Sequence, residues 1–130
     1  MQRRQFLAQS SLVAGTLLTS DLTSLLPQDR KLGIALVGLG NYATNQLAPA
    51  LQQTELCQLT GIVTGTPQKA AEWASKYQIP QKNIYNHETF DQIKDNPDID
   101  IVYVVLPNSM HAEYTIRAAK AGKHVICEKP

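Results

Sequence analysis

Leu32-Gly33-Ile34-Ala35-Leu36-Val37-Gly38-Leu39-Gly40-Asn41-Tyr42-Ala43 is the stretch that decides how this chain folds. Leu32 to Val37 is a continuous apolar run ended by glycine, the pattern of a strand buried on both faces. Gly38, Gly40 and Ala43 then fall at the spacing Gly-x-Gly-x-x-Ala, directly after that strand and where a helix opens. Each has a task in a dinucleotide-binding turn. Gly38 permits the tight turn, Gly40 lets backbone N–H groups approach a pyrophosphate, and the small Ala43 allows close packing of helix on strand. The phosphate sits at the helix N-terminus, where unpaired N–H groups and the dipole favour an anion. The same residues also suit a plain tight turn, or a glycine-rich loop for another nucleotide such as S-adenosylmethionine. The strand before and the helix after favour a nicotinamide dinucleotide, held by Gly38, Leu39, Gly40, Asn41 and Tyr42.

Downstream, strands alternate with helices. The helix opened by the glycines carries Leu47, Ala50 and Leu51 on one side, and Pro49 within it is expected to bend it or end it early. Gln58 to Val63 reads as a second strand. Thr66 is placed as N-cap with Pro67 at the first helical position. Ala70, Trp73, Ala74 and Tyr77 follow at i, i+3, i+4, i+7, an apolar stripe for packing on a sheet. Ile84-Tyr85 is a short strand, and Asn86 is expected to cap a helix through Lys94. Ile99 to Leu106 is the strongest strand. Met110 to Ala121 is helical, with Gly122 just past its end, and His124 to Cys127 is a fifth strand. The expected fold is α/β, a Rossmann doubly wound parallel sheet in the order 3-2-1-4-5 with right-handed crossovers.

The end of the second strand bears on which dinucleotide is bound. An NAD site usually has an acid there, about twenty residues after the glycines, to bind the ribose 2′-hydroxyl. This chain has Thr64-Gly65-Thr66 instead. A carboxylate would repel a 2′-phosphate, whereas hydroxyls and a glycine N–H can donate to it. Lys69 lies in the first turn of the next helix, where a cation opposes the dipole at a cost of about 0.3–1 kcal/mol; a bound phosphate reverses that balance. His87, just past the third strand, reaches the same edge if the strand order is as expected. A solvated surface lysine and a surface-loop histidine are the plainer readings of these two.

Leu106-Pro107-Asn108-Ser109-Met110-His111 follows the fourth strand, at the carboxyl edge where open parallel sheets bind ligands. Asn108 can cap the next helix, and His111 sits on its first turn; beside a nicotinamide, both become contacts for the ring and its ribose. Glu128-Lys129-Pro130 leaves the fifth strand at the same edge. Alone, a Glu-Lys pair after a strand carries no weight.

Composition narrows the rest. A length of 130 residues suits one modest domain, and a net charge of +1 without a basic run gives little purchase on nucleic acid, so no nucleic-acid partner is expected. The two cysteines, Cys57 and Cys127, lie in apolar segments and are expected to be buried free thiols rather than a disulfide. No cysteine–histidine cluster has metal-ligand spacing, so no metal is expected. Met1-Gln2-Arg3-Arg4-Gln5-Phe6-Leu7 puts two arginines before a mildly apolar, uncharged stretch to Leu18, too short to span a bilayer comfortably. Arg-Arg-x-Phe-Leu resembles a twin-arginine export signal, although no Ala-x-Ala cleavage site follows. Residues 1–30 are therefore read as export signal and linker, with the translocase as a partner and the periplasm as destination. If the signal is not functional, the protein stays in the cytoplasm. Residues 31–130 are read as the cofactor domain.

Gly38-x-Gly40-x-x-Ala43, Pro107-Asn108-x-x-His111 and Glu128-Lys129-Pro130, in this order, resemble the Gfo/Idh/MocA oxidoreductases over Lys31 to Pro130. Gly40 to Gln46, Val63-Thr64-Gly65, Leu106 to Ser109 and Gly122 to Val125 look like the glucose–fructose oxidoreductase branch of that family. The resemblance implies an NADP-dependent sugar oxidoreductase of two domains, homo-oligomeric in its full-length form. It implies oxidation of an aldose to a lactone and reduction of a ketose to a polyol on one tightly held NADP. The family's catalytic lysine falls on Lys129, which positions a sugar hydroxyl and polarises its C–O bond. Glu128 and Lys129 join the cofactor site, and Pro130 is often preceded by a cis peptide in the family. The acid–base tyrosine belongs to the family's C-terminal α/β domain, which this chain is expected to lack, so the chain alone is expected to be inactive. A dehydrogenase of the same family with exchangeable cofactor, and a non-catalytic nucleotide-binding module, are the other readings. Arg3-Arg4 and Thr64-Gly65-Thr66 weigh against the first, Lys129 against the second.

Overall fold

The computed structural model describes residues 30–130; the expected export signal, with Arg3 and Arg4, lies outside the described residues. Five parallel strands form one sheet in the order β3-β2-β1-β4-β5. They are β1 (Leu32–Val37), β2 (Cys57–Val63), β3 (Ile84–Tyr85), β4 (Ile101–Val104) and β5 (His124–Cys127). The order reverses between β1 and β4, so the crevice above the carboxyl end of β1 is the topological switch point at which such sheets take ligands.

Helices cover both faces. Between β1 and β2, a π-helical turn (Ala43–Leu47) runs on into an α-helical turn (Ala48–Leu51), together α1. The π turn has a visible cause. Pro49 has no N–H to close the ladder, and the Ala48 N–H bonds back five residues to the Ala43 carbonyl. The helix expected to bend or end early at Pro49 instead runs through it to Leu51, and the disturbance falls on the π turn before it. Helix α2 (Pro67–Tyr77) starts on Thr66 in extended conformation and ends on Gln78, a non-glycine residue at φ 55° whose N–H bonds the Ala74 carbonyl. Helix α3 (His111–Lys120) ends before Gly122 at φ 74°, as the glycine led one to expect.

The doubly wound layout divides the core in two. Leu36, Ile34, Leu59 and Ile62 face α1 and α2 through Leu39, Ala43, Ala48 and Trp73. Val37, Val63, Val102 and Val104 face α3 and a 3-10 segment through Tyr114, Ala118, Phe90 and Ile93. Ala43 is fully buried, which is the packing role assigned to the third small residue of the glycine motif.

Three expectations need correction. Asn86 does not cap an α-helix: its Oδ1 accepts the Glu88 and Thr89 N–H groups, and a 3-10 helix (Phe90–Asp95) follows. The fourth strand pairs in the sheet only over Ile101–Val104: β1 ends at Val37, whose carbonyl takes the last bond, from the Val105 N–H, and the chain then turns into the ligand edge. The cysteines are not buried: Cys57 is half-buried and Cys127 exposed, since β5 is an edge strand with a neighbour on one side only.

Candidate active site at the carboxyl edge

Within residues 31–130, the segments singled out in the sequence for cofactor and catalysis leave strands at one edge of the sheet. Gly38 follows β1, Thr64 follows β2, His87 follows β3, Leu106 follows β4, and Glu128 follows β5. Two groups form there.

The first gathers around the glycine turn. Gly38 has φ 95°, and a β-carbon on it would lie 2.6 Å from the Val105 carbonyl oxygen and 3.0 Å from Leu106 Cδ2. Its N–H bonds the Val63 carbonyl, so the turn is wedged between the ends of β2 and β4. Gly40 is different. It has no positive φ, and a β-carbon there would meet nothing within 4 Å. Among the described residues nothing requires glycine at position 40, which leaves room for an anion to approach the helix N-terminus. The Thr44 N–H is bonded to the Gly40 carbonyl, leaving the amides of Asn41 to Ala43 in the first turn, where a helix has no carbonyls to offer them. Open space in front of such amides fits the pyrophosphate of a dinucleotide.

Beside this turn, Lys69 Nζ donates to the Leu39 carbonyl at 3.3 Å, so α2 reaches across to the glycine loop. Thr64 Oγ1 accepts the Thr66 N–H at 3.2 Å, whereas Thr66 makes no side-chain cap. The His87 ring lies over Gly65: a β-carbon there would come within 3.3 Å of Nε2. Strand order had suggested this meeting of the loops after β2 and β3. The group therefore contains two hydroxyls, a lysine, a histidine and no carboxylate.

The second group lines a cavity of about 270 Å³ bounded by Tyr42, Val105, Leu106, Glu128, Lys129 and Pro130. Tyr42 belongs to the glycine turn as well, so the cavity adjoins the first group. His111 Nε2 is hydrogen-bonded to the Leu106 carbonyl at 2.7 Å, which fixes the ring against the loop after β4. Asn108 does not cap α3, contrary to expectation. A 3-10 turn (Asn108–Met110) precedes the helix, Met110 takes the cap position, and the exposed Asn108 side chain is left at the edge with Pro107. No cis peptide occurs among the described residues, so the Lys129–Pro130 bond is trans, the isomer that X–Pro bonds favour by about 0.5–1 kcal/mol.

Glu128 is held from two sides. Tyr103 donates its hydroxyl to Oε2 at 2.9 Å, and Oε1 accepts the Lys129 N–H at 3.2 Å. Burial first, and the Glu128 carboxylate second, push the Tyr103 phenol up to about 12, so it remains a donor through the neutral range. In the sequence Tyr103 reads only as a strand residue. The signal was available: Tyr103 pairs with Ile126, and Glu128 lies two residues further on the same face. Tyr114 and Arg117, which hold the His87 loop, were missed for a different reason, since helix spacing says nothing about a loop from across the sheet.

Residues 32–130 match the model of an oxidoreductase family with an NAD-binding Rossmann fold, Gfo/Idh/MocA. Among curated relatives, an NADP-dependent D-xylose 1-dehydrogenase from Haloarcula marismortui is 33% identical over 102 residues, which is 78% of this chain and 28% of that protein. Among solved structures, an aldose-aldose oxidoreductase from Caulobacter crescentus complexed with glycerol is 53% identical with a TM-score of 0.76, over 78% of this chain and 30% of the other. A 3-ketoreductase from Actinomadura kijaniata in complex with TDP-benzene and NADP is 29% identical with a TM-score of 0.67, over the same shares of the two chains. The chain thus spans about a third or less of the length of these relatives.

Proposed function

The chain belongs to the Gfo/Idh/MocA oxidoreductases, and from that premise we propose that it is the NADP-binding part of a sugar oxidoreductase. The reaction is oxidation of an aldose to a lactone, coupled on the same tightly held NADP to reduction of a second sugar carbonyl. The acceptor is a ketose, as the glucose–fructose branch implies, or a second aldose, as the name of the Caulobacter relative states for that enzyme. The observation that carries this reading is the pairing, at one edge, of an acid-free cationic pocket beyond Gly65 with a cavity holding Lys129.

When bound, NADP supplies the hydride acceptor and donor. The protein does the rest. Asn41 and Tyr42 present their N–H groups to the pyrophosphate, and Thr64, Thr66, Lys69 and His87 offer donors to a 2′-phosphate. Leu106, Pro107, Asn108 and His111 border the nicotinamide end. Lys129 holds the reacting sugar hydroxyl through its ammonium and stabilises the oxygen as its charge changes. Tyr103 fixes Glu128, and Glu128 fixes the backbone that carries Lys129. The acid–base group comes from a further domain of the whole protein.

Lys69→Ala tests the cofactor assignment. Fluorescence titration of the full-length protein should show NADPH held more tightly than NADH, and the variant should narrow that gap by about tenfold, the worth of one charge-assisted contact. Equal affinities of the unmutated protein for the two cofactors would defeat the assignment.

Arg3-Arg4 completes the proposal as an export signal. The twin-arginine route carries folded proteins, and no NADP pool is expected outside the cytoplasm. An exported enzyme must therefore carry its cofactor with it and regenerate it with a second substrate. Replacing both arginines by lysine should leave the protein in the cytoplasm of a host with that route. Undiminished periplasmic recovery of the double variant would rule the route out.

A further inference from the structure

The loop after β3 is held far more firmly than a connection to a two-residue edge strand requires. Asn86 Oδ1 accepts two N–H groups and the Thr89 hydroxyl, while Thr89 Oγ1 takes the Asn86 N–H. Arg117 on α3 donates through Nη2 to the His87 carbonyl at 2.9 Å and through Nε to Asp91 at 2.9 Å. Its guanidinium lies 5.0 Å from the centre of the Phe90 ring and 4.9 Å from that of Tyr114. Tyr114, only 2% exposed, is hydrogen-bonded through its hydroxyl to His87 Nδ1. The contacts of Arg117 and Tyr114 come from α3, on the opposite side of the sheet from α2 and Lys69. They meet at His87, Arg117 on its carbonyl and Tyr114 on its ring, and that ring covers Gly65.

We infer that Tyr114 and Arg117 are positioning residues for cofactor choice, acting through His87 on the phosphate-bearing ribose; this rests on the NADP reading above. Arg117 sets the backbone of the loop and Tyr114 sets the ring. A phenol hydroxyl both donates and accepts, so it satisfies Nδ1 in the neutral imidazole and in the imidazolium. Burial, the largest influence, raises the Tyr114 pKa and keeps the phenol protonated. When the phenol donates to Nδ1, the proton of the neutral ring is on Nε2, the nitrogen beside Gly65. In the imidazolium Nε2 carries a proton as well. In both of these states, with the phenol donating or the ring charged, His87 presents a donor to an anion at the end of β2, where an NAD site would have its acid. The Cδ2–Nε2 edge of the ring faces Gly65, at 3.2 and 3.3 Å from the place of a β-carbon there, and a ring turned over would carry Nε2 away from it.

Tyr114→Phe removes the hydroxyl and keeps the edge-to-face contact with Phe90, 5.2 Å between ring centres at 85°. In the full-length protein stripped of cofactor, titrated with NADPH and NADH, this variant should bind NADPH about three- to tenfold more weakly, the worth of one net hydrogen bond. NADH affinity should not change. In a His87→Ala background the same substitution should add nothing, because the group it acts through is gone. Arg117→Lys, which keeps the charge but loses the fork that grips both Asp91 and the His87 carbonyl, should reproduce the selective loss and serves if Tyr114→Phe does not fold. Equal loss for both cofactors, or an undiminished effect in the His87→Ala background, would reduce the network to a structural brace and overturn the inference. An unmutated protein without preference for NADPH would bring down the NADP reading first, and this inference with it.

Discussion

Lys129→Ala in the full-length protein should lower kcat by about two to three orders of magnitude, the cost of losing one oriented donor to a developing charge. NADP affinity should stay within about twofold, because the glycine turn and the pocket beyond Gly65 lie on other loops of the edge. The ammonium would act mainly on the transition state, where the charge on the sugar oxygen changes, so the loss should fall on kcat and kcat/KM together. Lys129→Arg should not restore the rate, since a planar fork cannot occupy the place of a compact charge in a cavity of about 270 Å³. Steady-state kinetics with cofactor titration decides. A variant that keeps kcat and loses cofactor would make Lys129 a binding residue instead.

The two glycines of the turn should separate cleanly. Gly38→Ala forces a β-carbon to 2.6 Å from the Val105 carbonyl oxygen at φ 95°, so either the turn or the end of β4 must move. Strain and clash together should cost on the order of 3 kcal/mol of stability, visible as a large fall in Tm. Gly40→Ala meets nothing in the protein, and its stability should stay within about 0.5 kcal/mol of the parent. Its NADP affinity should nevertheless fall by about tenfold or more, because the added methyl stands in front of the first-turn amides and weakens contacts to a charged group. Thermal melts read beside cofactor titrations test both at once. A Gly40→Ala protein that melts early and binds normally would contradict the placement of the pyrophosphate.

Much of this site was legible because local chemistry and topology coincide in it. The apolar run from Leu32 to Val37 and the glycines after it state both the strand and the turn. Once the order 3-2-1-4-5 is accepted, Thr64, His87, Leu106 and Glu128 must share an edge. What escaped the sequence depends on pairing across the sheet or on missing backbone donors. Tyr103 looks like one more strand aromatic until β4 and β5 are aligned, when its hydroxyl meets Glu128. The π turn at Ala43–Leu47 follows from the absent N–H of Pro49, which announces a disturbance but not its form. Asn86 and Asn108 both have the composition of helix caps. Asn86 closes a local loop through the Glu88 and Thr89 N–H groups, and a 3-10 turn displaces Asn108 from the cap, and composition alone does not separate these turns from an α-helical start. Cys127 reads as buried only until its strand is seen to be an edge.

In the function proposed above, one protein-held NADP is reduced by one sugar and reoxidised by another. The most direct test is to mix the purified full-length protein, without added cofactor, with an aldose and follow the absorbance of reduced nicotinamide. One equivalent per site should appear, and should vanish on addition of a second carbonyl sugar. No absorbance with any aldose tried, or turnover that depends on added free NADP, would contradict the account.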